Sequence, residues 1–152
     1  MDKNKITLTA KELRLQKSAV LGPVFFHGNS MLPFLADGDE LISIPVVWGD
    51  IKTGDIVTYR HEDKFPTYRV IQKHRDRLIL KADAWPELFE VEAGDVLGKV
   101  IERRRGGIAL RAGDLTWIVY SGYIVWRFRT DKLTARVRYF SRVVRGIFKK
   151  GR

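Results

Sequence analysis

Ser30 is the residue in this sequence whose surroundings best fit a nucleophile. It lies in the hexamer GNSMLP, residues 28–33, directly after an apolar run that is typical of a strand. A serine just past the end of a strand can expose its hydroxyl at the edge of a site, while Pro33 restricts the backbone and Met31 fills an apolar wall. Serine becomes a good nucleophile only when a base removes its proton. The same serine also fits the N-cap of a short helix, so the hexamer alone leaves both roles open.

The elements that must position Ser30 are predicted to be short strands. Apolar runs bounded by turn residues recur between residues 23 and 112, and no helical pattern alternates with them. The strand-like runs are residues 23–28, 40–47, 55–60, 67–72, 77–82, 96–102 and 108–112. Because βαβ alternation is missing, the pattern disfavours a parallel sheet and predicts a mainly β fold, as a sandwich, a barrel or a coiled ribbon.

The sequence divides into a β domain over residues 1–112 and a helical, basic tail over residues 113–152. Residues 1–22 form a polar N-terminal extension with one short predicted helix. In the tail, apolar residues recur every three or four positions from Leu133 to Phe148 with arginines between them, which predicts an amphipathic helix with a cationic face. Such a helix either packs on the β domain with its charges in solvent, or binds an anionic membrane surface or a partner.

The formal charge of the 152-residue chain is +10, and most of it lies in the tail. Residues 116–152 hold ten Lys or Arg and one acidic residue, Asp131, which gives this segment a charge of +9. A basic tail suits anionic lipid, nucleic acid or an acidic partner. Nucleic acid is the least favoured of these, because residues 1–22 are too few for a helix-turn-helix domain. The aromatic residues of the tail are also grouped in a way typical of a core or a membrane interface.

Composition excludes several classes of site. The sequence has no cysteine, so disulfides, thiolate metal sites and a cysteine nucleophile are excluded. His27, His61 and His74 lack the spacing of metal ligands, and there is no glycine-rich phosphate loop, so we predict neither a metal nor a cofactor. The N-terminus does not resemble a signal peptide, and no stretch reaches the about 20 apolar residues that span a bilayer. We expect a soluble, cytoplasmic protein, with peripheral attachment to the membrane as the alternative.

A series of motifs follows in a fixed order along the β domain. They are GNSMLP (28–33), DGDEL (37–41), GDIV (54–57), YRVI (68–71), LKADA (80–84) and VLGKV (96–100). This order resembles signal peptidase I and its relatives, the superfamily that also holds the LexA-type self-cleaving repressors. The resemblance covers roughly residues 23–101 and is closest to short, soluble members that use a serine and a histidine. It implies a coiled, barrel-like β-ribbon and a serine endopeptidase that processes a peptide or protein substrate through an acyl-enzyme.

The resemblance also implies roles for individual residues. Ser30 matches the nucleophile, and Met31 and Pro33 match the structural residues around it. Asp83 matches the acid of the family's K-G-D motif, which lies near the base. The main-chain N–H of Ser30 is the implied oxyanion donor, and we suggest the side chain of Asn29 as a second.

The sequence departs from the family pattern at the catalytic base. The family has a histidine or a lysine where this chain has Tyr68, and Ala82 replaces the usual glycine of K-G-D. A phenol titrates at ~10, so Tyr68 can act as a general base at neutral pH only if its pKa falls by about three units. Such a shift corresponds to roughly 4 kcal/mol of differential stabilisation of the charged form. Arg69 follows in sequence but points to the opposite face of the strand, which makes it a poor helper.

Three interpretations stay open at this point. Another residue supplies the base, either Lys81 on the neighbouring strand, which becomes neutral if buried, or His27 or His74. Alternatively, the chain is a degenerate member that binds a peptide or protein without cutting it. In the third interpretation, Tyr68 acts as the base in surroundings that the sequence does not reveal. Because the serine motif is intact, the sequence favours a peptidase over a binding module.

Overall fold

A computed structural model describes residues 21–131 of the chain, which form one antiparallel sheet and one helix. The strands are β1 (Leu21–Phe25), β2 (Glu40–Pro45), β3 (Ile56–Tyr59), β4 (Thr67–Lys73), β5 (Arg77–Lys81), β6 (Leu88–Glu92), β7 (Val96–Arg105) and β8 (Ile108–Arg111). Two of the loops contain a short 3₁₀ turn, at Trp48–Asp50 and at Ala93–Asp95. Residues 115–131 are helical, and this helix is called α1.

The prediction of a mainly β fold is confirmed. All seven predicted strands are present, and β6 is an eighth that the sequence did not reveal. In β6 only Val91 is buried, and the other positions of this short edge strand are exposed or half-buried. The predicted helices near residues 10–17 and 133–148 lie outside the described residues.

The sheet has the strand order β1-β2-β7-β3-β4-β5-β6, with β8 paired to β7. The ten-residue β7 is the centre of this arrangement. One of its edges pairs with β2, and its other edge pairs with β3 at residues 96–99 and with β8 at residues 102–105. Side chains of β7 alternate between buried and half-buried positions up to Arg103, as expected for a strand with one face on the core. β7 therefore joins β1 and β2 on one side to the strands from β3 to β6 on the other.

Two groups of buried apolar residues make up most of the core. The first lies under α1 and contains Phe26, Met31, Phe34, Leu35, Leu41, Ile56, Val100 and Trp117. The second lies among β3 to β7 and contains Ile51, Val57, Tyr59, Val70, Leu78, Leu80, Val91 and Val96. Each large side chain buried in this way stabilises the fold by roughly 1.5–3 kcal/mol. Tyr68 packs against both groups, so it lies where the two halves of the core meet.

Helix α1 rests on the sheet through one face, which carries Trp117, Ser121, Ile124 and Val125. This face contacts the turn before β3, where a Cβ atom at residue 54 would lie 3.4 Å from that of Ser121, in ordinary van der Waals contact. The backbone at Gly54 also has a φ of +97°, which favours glycine. Within residues 21–131, no helix is long and apolar enough to cross a bilayer.

Candidate active site

The turn between β1 and β2 positions Ser30. Gly28 adopts a φ of +107°, and its N–H donates to the Asp37 carboxylate over 2.8 Å. The side chain of Met31 is fully buried in the core, which fixes the backbone beside the serine. The carbonyl of Ser30 also accepts a hydrogen bond of 3.0 Å from the Ala84 N–H, beyond the end of β5. Ser30 is therefore held from both sides on a turn that leaves its side chain half-buried.

An ion pair between buried Asp39 and the partly exposed Arg105 attaches this turn to the sheet. The Asp39 carboxylate accepts hydrogen bonds from the Arg105 guanidinium at 2.6 and 2.7 Å and from the Ala36 N–H at 2.9 Å. Burial works to raise the pKa of Asp39, but the hydrogen bonds from Arg105 and Ala36 outweigh it, so the pKa is lowered overall. The predicted alternative, a serine that only caps a helix, fits poorly, because residues 30–34 form turns rather than a helix.

Tyr68, on β4, lines the same cavity as Ser30, and the Ser30 hydroxyl lies near enough to its phenol to influence the pKa of the phenol. The Tyr68 ring stacks on Phe89, with 4.6 Å between the ring centroids and 20° between the planes. Burial raises the pKa of Tyr68, the nearby Ser30 hydroxyl opposes the rise, and the charge of Glu87 adds to it. The structure thus brings together the two residues that the sequence placed at the nucleophile and base positions. It also keeps Tyr68 protonated at neutral pH, which is unfavourable for a general base.

Ser30 and Tyr68 line a cavity of about 560 Å³ between β1 and β4. Its walls are mainly apolar and include Val24, Phe25, Phe65, Pro66 and Leu97. Phe25 and Phe65 are 60% and 62% exposed, so two aromatic rings stand at the cavity without being covered by residues 21–131. A mainly apolar cavity with a few converging polar groups is the usual form of a binding site.

His27 lines the same cavity as Ser30 and Tyr68. It follows the end of β1, its side chain is exposed, and its Nδ1 lies 3.5 Å from Oδ1 of Asp37. Among the residues proposed from sequence as alternative bases, His27 is the one that shares the Ser30 cavity. The contact with Asp37 was not predicted, because it depends on the shape of the turn that joins β1 to β2.

Lys81 lines a different cavity, of about 750 Å³, together with Asp83, Trp85 and residues of α1. Its Nζ donates to the carbonyls of Ala82 at 2.7 Å and Trp85 at 2.5 Å. Burial lowers the pKa of Lys81, while the charge of Asp83 opposes this. The lysine is therefore occupied with backbone carbonyls. His74 lies in the turn between β4 and β5, where its N–H donates to the Arg77 carbonyl.

Asp83 binds Arg69. Two hydrogen bonds, of 2.8 and 2.6 Å, join the carboxylate to the guanidinium, and both side chains are fully buried. The remaining guanidinium nitrogen of Arg69 donates to the Gly54 carbonyl and to Oγ of Ser121. Asp83 thus joins β4, the β3 turn and α1 through Arg69. Sequence reasoning did not identify this network, since the partner on α1 lies far away in the chain.

Asn29 and Pro33 flank the serine and are both exposed. The Asn29 carbonyl accepts a hydrogen bond of 3.3 Å from the Leu32 N–H, which shapes the turn. Pro33 lines the Lys81 cavity rather than the Ser30 cavity. The structure therefore leaves the side chain of Asn29 in solvent beside Ser30.

No group of three or more metal-ligating side chains occurs within the part of the chain that the structure describes. Comparison with protein-family models, with curated proteins and with solved structures finds no match to this chain.

Proposed function

We propose that the chain is a serine-type endopeptidase of the signal peptidase I type, acting on an extended peptide through a Ser30 acyl-enzyme. The observation that carries the proposal is that Ser30, Tyr68 and His27 line one mainly apolar cavity, with the Ser30 hydroxyl near enough to the Tyr68 phenol to influence its pKa. This grouping supports a serine that lies beside other polar side chains in a cavity large enough for a substrate residue.

The peptide would bind by adding a strand to β1. Among residues 21–131, β1 pairs with β2 alone, so its other edge is open to a further strand. The Ser30 cavity begins beside this edge, at Val24 and Phe25. Main-chain hydrogen bonds along such an edge provide affinity, and a pocket for one side chain provides specificity. The scissile carbonyl would then lie near Ser30, five residues beyond the end of β1.

His27 is the base in this proposal, and Tyr68 is a positioning residue. A histidine is the usual side chain for proton transfer near neutral pH, and the carboxylate of Asp37 lies 3.5 Å from this one. Oγ of Ser30 bonds to the carbonyl carbon while its proton passes to His27. His27 then returns the proton to the leaving amine as the peptide bond breaks. Water hydrolyses the resulting ester and regenerates Ser30.

The oxyanion that forms in this step needs hydrogen-bond donors. The main-chain N–H of Ser30 and the exposed side chain of Asn29 are the donors that we propose. Removing one such donor typically slows acyl transfer by a factor of about 10²–10³.

The test is labelling of the purified protein by a fluorophosphonate, which reacts with activated serines. We expect Ser30→Ala to abolish labelling and His27→Gln to slow it by at least a factor of ~10², the typical size of general base catalysis. Tyr68→Phe should slow it less, and His74→Gln, the matched histidine control, should not change it. Full labelling of Ser30→Ala would contradict the proposal, and full labelling of His27→Gln would remove His27 from it.

A second candidate is a protein that binds a peptide in the same cavity without cutting it. The specific observation in its favour is that Tyr68, with a raised pKa, occupies the position of the family's base. This candidate predicts that wild-type protein is not labelled but binds small-residue peptides from a library. Substituting Phe25 by Ser at the cavity should then weaken that binding, and Ser30→Ala should not.

A further inference from the structure

Helix α1 is apolar on the face that points away from the sheet as well as on the face that touches it. The buried face carries Trp117, Ile124 and Val125. Five large apolar or aromatic residues lie on the outer side: Leu115, Ile118, Val119, Tyr123 and Trp126. A helix that packs on a protein through one face normally has polar residues on the other. Packing on the sheet therefore does not explain the apolar residues on the outer face of α1.

The exposure of these residues is large and continuous along the helix. Leu115 is 75% exposed, Val119 61% and Trp126 62%. At 100° per residue these three positions fall within about 40° of one another around the helix axis, so they form one stripe over three turns. Ile118 and Tyr123, at 55% and 48%, flank the stripe on either side. A contiguous apolar stripe of this kind on a soluble domain usually marks an interaction surface.

The charges at the end of the stripe identify the kind of partner. Arg127 and Arg129 are exposed in the last turns of α1, where Asp131 lies 4.0 Å from Arg127, and the sequence of residues 132–152 holds eight Lys or Arg and no acidic residue. An apolar helix face followed by cations is complementary to a surface that is apolar below and anionic above. Trp and Tyr rings prefer the same boundary, since one end of each is apolar and the other is polar. An anionic bilayer has all of these properties, whereas a nucleic acid offers no apolar layer.

We infer that the outer face of α1, formed by Leu115, Ile118, Val119, Tyr123 and Trp126, binds the interface of an anionic membrane. The helix would lie in the plane of the interface, with this stripe at the acyl boundary and the basic residues at the lipid headgroups. This inference does not depend on the peptidase proposal. It concerns the location of the protein, whereas the Ser30 cavity concerns its chemistry.

The experiment is cosedimentation of the full chain with large vesicles, made either of phosphatidylcholine alone or with 30% phosphatidylserine. We expect binding to the anionic vesicles that is at least tenfold stronger than to the neutral ones. The variant Val119→Ser/Trp126→Ser should reduce binding to the anionic vesicles at least tenfold. The matched control, Ile108→Ser/Trp85→Ser, removes one exposed aliphatic residue and one exposed tryptophan outside α1, and should bind as the wild type does.

Three results would overturn the inference. One is failure of the wild type to sediment with anionic vesicles. Another is equal loss of binding in the control variant. The third is a lipid-free dimer in sedimentation velocity that Val119→Ser/Trp126→Ser dissociates, because the face then joins two copies of the chain. Far-ultraviolet circular dichroism of each variant shows that α1 is retained, and fluorophosphonate labelling of Ser30 in each variant reports on the cavity separately.

Discussion

Tyr68 and Arg69 are neighbours on β4, and their side chains lie on opposite faces of the strand in different surroundings. Tyr68 is half-buried, lines the Ser30 cavity and has the neutral hydroxyl of Ser30 as its polar neighbour there. Arg69 is completely buried, forms two hydrogen bonds with Asp83 and donates further hydrogen bonds to Gly54 and Ser121. Its guanidinium also lies 4.9 Å from the centre of the Phe34 ring. One strand thus carries a charged structural network on one face and a neutral, accessible pair on the other.

This difference predicts that the two faces of β4 differ in how much they contribute to stability. A buried charge is tolerated only when it is fully paired, so the Arg69 face cannot change without a large cost. A neutral hydrogen bond beside a cavity contributes little net free energy, because water can replace either partner. We therefore expect substitutions on the Tyr68 face to preserve the fold, so that they test the proposed reactivity, and substitutions on the Arg69 face to destabilise it.

The largest expected effect is therefore on the Arg69 face. Arg69→Met should lower the free energy of unfolding by about 3–5 kcal/mol, because it leaves the Asp83 carboxylate buried without a partner. The double variant Arg69→Met/Asp83→Leu should be less destabilised than Arg69→Met alone, since it removes the unpaired charge as well. Urea denaturation followed by circular dichroism measures both. A double variant that is less stable than the single one would show that the ion pair is not the source of the loss.

Alkaline pH should destabilise the fold through the tyrosines near the cavity. Burial is the main reason that the pKa of Tyr59 is raised from 10.0 to about 12, and the pKa of Tyr68 is also raised. A raised pKa in the folded state gives stability that is fully present below pH 10 and is lost as the pH rises towards 12. For Tyr59 alone this loss amounts to about 3 kcal/mol. Tyr59→Phe should flatten the fall in urea stability between pH 10 and 12, and an unchanged fall would contradict this assignment.

Periodicity and turn residues were enough to predict most of the sheet. Runs such as ELISIP alternate or group their apolar residues between Gly-Asp turns, and seven of the eight strands follow from that. β6 was missed because its LFEVE sequence has two acidic residues and a single buried position, Val91. Its place in the sheet comes from pairing with β5, which the local sequence does not encode.

The candidate site was predictable to a lesser degree. The two-residue period of a strand predicted that Tyr68 and Arg69 face opposite ways, and the structure shows that they do. The order of the motifs suggested that Ser30 and Tyr68 meet. The contacts of Arg69 with Ser121 and of His27 with Asp37 were not predictable, because they depend on how a helix and a turn are placed in three dimensions.

A substitution of Asp39 tests whether the turn that carries Ser30 depends on the ion pair between Asp39 and Arg105. Its pKa is lowered despite burial, because Arg105 and Ala36 bind the carboxylate. Stability from such a group is present above the ordinary value of 3.8 and is lost as the pH falls through the lower, folded value. Asp39→Asn should lower the free energy of unfolding at pH 7 by about 1–3 kcal/mol and weaken its acid dependence. Chemical denaturation at pH 7 and in the acid range measures both, and an undiminished acid dependence would contradict this role.

The smallest expected effect is that of Tyr68→Phe. This variant tests whether the cavity-facing side of β4 contributes less to stability than the buried side does. The substitution keeps the ring that stacks on Phe89 and removes only the hydroxyl that meets Ser30. Because water can reach a half-buried hydroxyl, the free energy of unfolding should fall by no more than about 1 kcal/mol. A double-mutant cycle with Ser30→Ala, measured by urea denaturation, should give a coupling energy of similar size between the two side chains. A loss as large as that of Arg69→Met would mean that the Ser30–Tyr68 pair holds the fold together, and that the cavity face is as structural as the buried one.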